Sequence, residues 1–181
     1  MSETHIAWHR RTAADPREGA IPDKANFAWL VFNGKENVIM EIRKAAAEDF
    51  DIVFDFIEKL WTYNTYDREE IRKVYMDVID DERSFAFLLW DEDICRGMCH
   101  GDYFNTFWMS GLTCYVSSLI TREEDRGKGY GVALLDHAKK LAKQRGCKAI
   151  TLDSGLPRTG AHGFYEHYGF EKSCYGFELT I

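Results

Sequence analysis

The stretch Arg126-Gly127-Lys128-Gly129-Tyr130-Gly131 is followed about thirty residues later by Ala161-His162-Gly163-Phe164-Tyr165-Glu166-His167-Tyr168-Gly169-Phe170. Glycines alternate at 127, 129 and 131 and open onto Val132, Leu135, Ala138, Leu141 and Ala142, which recur at three- and four-residue spacing. That spacing predicts a glycine-rich loop running into the N-terminus of an amphipathic helix. Glycine takes positive φ and lets a ligand approach the backbone closely. The unpaired N–H groups of a helix start and the positive end of its dipole favour phosphate or pyrophosphate. Arg122, Arg126 and Lys128 add cationic side chains around the loop, and a guanidinium fork matches phosphate geometry. The glycine spacing is neither the dinucleotide-binding fingerprint nor the P-loop, so the ligand is expected to be another pyrophosphate-bearing carrier.

With both motifs in view, the chain resembles the GNAT superfamily of N-acetyltransferases. Its [Gln/Arg]-x-x-Gly-x-[Gly/Ala] pattern is met by Arg126, Gly129 and Gly131, and its Ala…Phe-Tyr-x-x-x-Gly-Phe pattern by Ala161, Phe164, Tyr165, Gly169 and Phe170. The similarity runs from about Met40 to the C-terminus. Arg158 together with the 161–165 stretch also resembles the subgroup that includes aminoalkylphosphonate acetyltransferases.

A chain of 181 residues, 45% apolar and 14% aromatic, fits one domain with a sizeable core. No apolar run reaches the roughly eighteen residues of a membrane span, and the N-terminus lacks a signal-peptide apolar region, so a soluble cytoplasmic protein is expected, without membrane attachment. The net charge of −7 argues against nucleic-acid binding and tolerates a cationic amine acceptor. Cys95, Cys99, Cys114, Cys147 and Cys174 are odd in number and form no Cys-x-x-Cys pair, so reduced thiols are expected. His100, His137, His162 and His167 lack ligand spacing, and no metal is expected.

Residues 27–32 and 38–43 flank Asn33-Gly34, a hairpin dipeptide, which predicts an extra N-terminal strand pairing with the first strand of the domain. Two helical stripes follow, at Phe50 to Trp61 and Ile71 to Ile79, with Asp67 and Glu70 as a capping box for the second. Strands are predicted at about 85–90, 94–104 and 111–121, then the helix to Arg145, a strand at 149–153, a short helix at about 160–168, and strands near 170–173 and 175–180. The resemblance implies an α+β fold. Its sheet is mixed, mostly antiparallel and twisted, of about seven strands flanked by about four helices, and opens between the fourth and fifth strands of the family. Residues 1–26 read as an N-terminal extension or arm and 27–181 as the acetyltransferase domain.

The resemblance further implies acetyl-CoA as co-substrate, bound by Leu119, Ile120 and Thr121 and by Arg126, Gly127, Lys128, Gly129, Tyr130 and Gly131. A strand bulge at 119–121 would leave N–H groups for the carbonyl oxygen, and pantetheine would lie along that segment like an added strand. Tyr165 occupies the position from which many members protonate the departing thiolate. Some relatives carry a glutamate where this chain has Ser118, so the base stays open among His100, Asp102 and water passing Tyr115 and Ser117. The acceptor, a small-molecule amine, is expected between residues 61–66 and the strands of Tyr103 and Tyr115. A non-catalytic CoA-binding module and a subunit engaged through residues 1–26 stand as alternatives, and a homodimer is left open.

Overall fold

The structure, a computed structural model, describes residues 27–32 and 37–181. Its centre is an antiparallel meander of β3 (Ser84–Asp91), β4 (Ile94–Thr106) and β5 (Gly111–Thr121). Glu92 and Asp93, both at positive φ (50° and 62°), form the two-residue turn between β3 and β4. That left-handed pair matches the twist of the strands it joins. β2 (Asn37–Lys44) pairs antiparallel with β3, and β1 (Phe27–Phe32) lies antiparallel outside β2. On the far side β6 (Ala149–Leu152) runs parallel to β5, reached through the crossover helix α3 (Tyr130–Gln144). The strands are thus ordered β1-β2-β3-β4-β5-β6 across one mixed sheet. The turn at Asn33-Gly34 and residues 1–26 lie outside the described residues.

β3 explains why the sheet is covered on both sides. Its residues 85 to 89 are all buried, as a strand enclosed on two faces requires. Phe85, Phe87 and Leu89 pack toward Ala133, Leu134 and Ala138 of α3. Ala86 and Leu88 pack toward Phe50, Val53, Phe54 and Phe56 of α1 (Phe50–Leu60) and Tyr75 and Ile79 of α2 (Arg68–Asp80). Asp67 caps α2, its carboxylate accepting from the N–H groups of Glu69 and Glu70 at 2.9 Å each. α3 stops at Gly146 (φ 74°), and α4 (Thr159–Tyr168) at Gly169 (φ 112°), the left-handed C-terminal position that glycine fills without strain.

Neither of the strands expected near 170–173 and 175–180 forms. Past Gly169 the chain has no strand pairing, and Tyr175, Phe177, Leu179 and Ile181 are exposed. The period-two apolar pattern is present, but a strand exists only where a neighbour completes its ladder. β6, the last strand of the sheet, offers an outer edge of only four residues.

Two glycines on β4 are set by the closeness of β5. A Cβ on Gly101 would stand 2.1 Å from the carbonyl oxygen of Tyr115 and 2.5 Å from the Phe85 ring. Gly101→Ala is therefore expected to destabilise the fold by at least ~1–3 kcal/mol, the usual cost of overpacking, read as a lower midpoint in denaturant or heat. Gly160→Ala, where a Cβ meets nothing within 4 Å, is the control and should be neutral or slightly stabilising.

Candidate active site

The ladder between β5 and β6 covers Thr113 to Val116 against Ala149 to Leu152 and ends there. β5 continues to Thr121, paired with β4 alone: Leu119 lies opposite Cys99, Ile120 opposite Met98 and Thr121 opposite Gly97. One backbone edge of 117–121 therefore faces an opening in the sheet. The bulge expected at 119–121 sits earlier: His100 pairs with Ser118 and Gly101 with Val116, leaving Ser117 as the extra residue. A bulge adds twist and re-aims side chains.

Beyond β5 a single 3₁₀ turn, Glu123–Asp125, leads into the glycine loop. Gly127 (φ 81°) and Gly129 (φ 90°) are left-handed, and a Cβ on either would have nothing within 4 Å. Their need for glycine is conformational, and the space above them is open. Gly129 begins α3 with no side-chain cap and no acidic residue in the first turn. The first intrahelical bond runs from the N–H of Ala133 to the carbonyl of Gly129 at 3.0 Å. The N–H groups of Tyr130, Gly131 and Val132 thus lack helical acceptors, and the fit to an anion is direct. Gly131 serves packing instead: its Cβ would lie 3.2 Å from the Phe164 ring, so the two sequence motifs meet there.

The loop is tied from below. Asp125, 2% exposed, accepts from Lys128 Nζ at 2.7 Å and from an Arg96 terminal nitrogen at 3.3 Å. The Lys128 bond and the Arg96 charge hold its carboxyl below the ordinary range despite burial. The Tyr130 hydroxyl donates to Asp91, and burial, then the Asp91 bond, pushes that phenol up to about 12. Arg122 Nε donates to the Cys95 carbonyl at 2.6 Å. Lys128 and Arg122 thus each make an internal bond, while the Lys128 side chain stays 56% exposed beside the loop. Arg126, 67% exposed and paired only with Glu123 at 3.2 Å, keeps its charge at the surface.

Tyr165 lies on α4, its ring 5.3 Å from Phe164 and 5.9 Å from Phe170. Burial pushes its phenol up to about 12, against a smaller lowering by Arg158, so it is protonated at neutral pH. Tyr75, Tyr115, Tyr130 and Tyr168 each donate to a carbonyl or carboxylate. The Tyr165 hydroxyl makes no such bond among the described residues. Arg158, just before α4, donates to the carbonyl of Leu60 at the end of α1, which ties the two sides of the opening together and was not legible in the sequence.

On the α1–α2 face, Asp102 accepts from Ser84 Oγ at 2.6 Å and Tyr115 donates to Asp153 at 3.0 Å. His100 Nδ1 is 2.7 Å from Ser117 Oγ. Tyr103, expected along the acceptor region, is instead buried in the α3-face core against Phe85. Two cavities, of about 530 and 280 Å³, also lie on the α3 face, and neither includes the glycine loop or Tyr165. The five cysteines are free thiols, and among the described residues no cluster of His, Cys, Asp or Glu is placed to hold a metal.

This architecture has known counterparts. The model of the Acetyltransferase (GNAT) family matches residues 42–170, and the chain belongs to that family. It is an N-acetyltransferase that takes its acyl group from CoA. It is 33% identical over 104 residues to the uncharacterized N-acetyltransferase YhdJ of Bacillus subtilis (strain 168), covering 57% of this chain and 72% of that protein. It is 26% identical over 148 residues to the N-alpha-acetyltransferase MAK3 of Arabidopsis thaliana, covering 70% and 75% respectively. Among solved structures, the aminoglycoside N-acetyltransferase AAC(6')-Iy in complex with CoA superposes with a TM-score of 0.70 at 11% identity, covering 81% of this chain and 97% of that one. A transcriptional regulator from Bacillus halodurans C-125 gives 0.72 at 21% identity, covering 78% and 99%.

Because Asp125 holds both Lys128 and Arg96, Asp125→Ala releases two cations beneath the loop. It is expected to lower the melting temperature and to weaken acetyl-CoA binding by about tenfold, the worth of a charged hydrogen bond of ~1.5 kcal/mol, measured by calorimetric titration.

Proposed function

We propose that this chain transfers the acetyl group of acetyl-CoA to the primary amine of a small molecule, by direct attack within a ternary complex. The observation that carries the reading is the adjacency of two backbone features. The uncapped start of α3, entered through left-handed Gly127 and Gly129, stands beside the segment of β5 that has lost its β6 partner. The first suits a pyrophosphate through the N–H groups of residues 130–132 and the side chain of Arg126, and the second suits an extended pantetheine arm along Leu119, Ile120 and Thr121. Lys128 and Tyr130 act beneath, by holding the loop to Asp125 and Asp91.

In the reaction a neutral amine attacks the thioester carbonyl carbon, and negative charge gathers on its oxygen, where backbone N–H groups of the open β5 edge are suitable donors. As the C–S bond breaks, the sulfur keeps the electron pair. Tyr165, protonated at neutral pH and with an uncommitted hydroxyl, donates the proton that makes the free thiol. An amine acceptor is supported by the acidic chain, with its charge of −7, and by the aminoglycoside acetyltransferases that share the fold. All five thiols are free, which fits the reducing cytoplasm.

Free-thiol release from acetyl-CoA is the test, across polyamines, amino acids, aminosugars, aminoglycosides, aminoalkylphosphonates and peptides with free N-termini or lysines. Turnover with a small amine supports the proposal. Turnover with peptides alone would overturn the small-molecule acceptor, and acetyl-CoA binding without any turnover would favour a non-catalytic CoA-binding module. Tyr165→Phe is expected to lower kcat on the order of a hundredfold with the KM for acetyl-CoA little changed. Gly129→Val, which puts a branched side chain at left-handed φ where the phosphates approach, should abolish binding in calorimetry.

A further inference from the structure

We propose that Ser117 and His100 form a proton relay, in which Ser117 Oγ takes the proton from the acceptor nitrogen while passing its own to His100 Nδ1. The proposal rests on the acetyl-transfer reading above. It supplies the proton acceptor that Ser118, with no carboxylate, does not.

The bulge creates the relay. In a regular strand residues 116 and 118 share a face and 117 takes the other. Here Val116 pairs with Gly101 and Ser118 with His100, so Val116 and Ser118 lie on opposite faces, with Ser117 as the residue between. Its Oγ thereby comes within 2.7 Å of His100 Nδ1 and 3.3 Å of the His100 carbonyl. Ser117 is also the first residue of β5 past the end of the β6 ladder, so the pair stands where the sheet opens.

The relay and Tyr165 approach that opening from opposite faces. Met98 belongs to the core beneath α1 and α2, and strand alternation puts His100 on that face. The intervening Cys99 belongs to the α3-face core, and it is among the groups acting on Tyr165. A donor for the sulfur and an acceptor for the amine proton thus flank one slot without competing for one proton.

The relay requires a neutral His100 with its proton on Nε2. Its Nε2 is buried and lacks a partner among the described residues. Burial lowers the ring's pKa below the ordinary histidine value, with Asp102 opposing. Around it, β3 contributes Ala86 and Ser84, β4 contributes Asp102, and β5 contributes Tyr115, Ser117 and Ser118. A neutral ring with its proton on Nε2 has Nδ1 free to accept. In the step, the N–C bond forms and the attacking nitrogen becomes cationic. One N–H proton moves to Ser117 Oγ as the Ser117 proton moves to Nδ1, giving imidazolium. The C–S bond breaks and Tyr165 protonates the sulfur; after the product leaves, solvent returns a proton to Tyr165, and the His100 proton leaves by the reverse path, from Nδ1 through Ser117 Oγ to solvent in the opened slot.

Two measurements test this on the full chain. Long-range proton–nitrogen NMR should show His100 neutral at pH 7 with Nδ1 as the acceptor, and a cationic ring or an Nδ1–H tautomer overturns the relay. With the best amine of the panel above, Ser117→Ala and His100→Gln should each lower kcat on the order of a hundredfold. The KM for acetyl-CoA should stay unchanged, and the acid-side ionisation that His100 adds to the wild-type kcat profile should be lost, while the amine's own ionisation remains in kcat/KM. Ser117→Thr, which keeps the hydroxyl, should recover most of the rate. The double variant should be no slower than either single one, because the groups act in series. Full activity in Ser117→Ala, or multiplied losses in the double variant, overturns the relay and leaves acetyl transfer standing. Absence of turnover with every amine overturns both.

Discussion

The parting of β5 from β6 after Val116 is the constraint on which the site depends. Parallel strands need a crossover, and α3 supplies it by leaving the end of β5, packing Ala133, Leu134 and Ala138 on the sheet, and returning the chain to β6. Because β6 pairs for only four residues, residues 117–121 of β5 keep an unpaired backbone edge beside the start of the same helix. A strand edge and a helix N-terminus are both sets of unspent N–H groups, and the fold places them next to each other.

Such an arrangement has to be held open against the tendency of a glycine loop to collapse. Asp125 does much of this work, because a buried carboxylate requires partners and finds them in Lys128 and Arg96. Tyr130 and Asp91 fasten the first turn of α3 to the end of β3. On the other side, Phe164 over Gly131 seats α4 on α3, and Arg158 reaches Leu60 to join α4 to α1. The charges that the loop displays in sequence are therefore partly internal struts, and Arg126 is the most exposed of Arg122, Arg126 and Lys128.

Much of the frame was legible without coordinates. The glycine spacing located the loop and α3, Asp67 marked the start of α2, and the break between the strands expected at 85–90 and 94–104 held the β3–β4 turn. These are local matters of backbone conformation and capping. The sheet was less legible at its far edge, where Tyr175, Phe177, Leu179 and Ile181 alternate as a strand would, yet make no ladder. The two faces were also blurred: Tyr103 and Tyr115 look alike in sequence, but one is core and the other bonds Asp153.

By itself the sequence determined the family, the order of the helices and the central strands, and the positions where only glycine suits the backbone, because these follow from residues near one another along the chain. Tertiary structure decided which cations are spent on Asp125, where the bulge falls and that the Tyr165 hydroxyl makes no hydrogen bond among the described residues. It also decided that Ser117 meets His100 across two strands. The Arg96–Asp125 and Ser117–His100 contacts join distant segments, and the second is set by a register shift of one residue that no local pattern encodes.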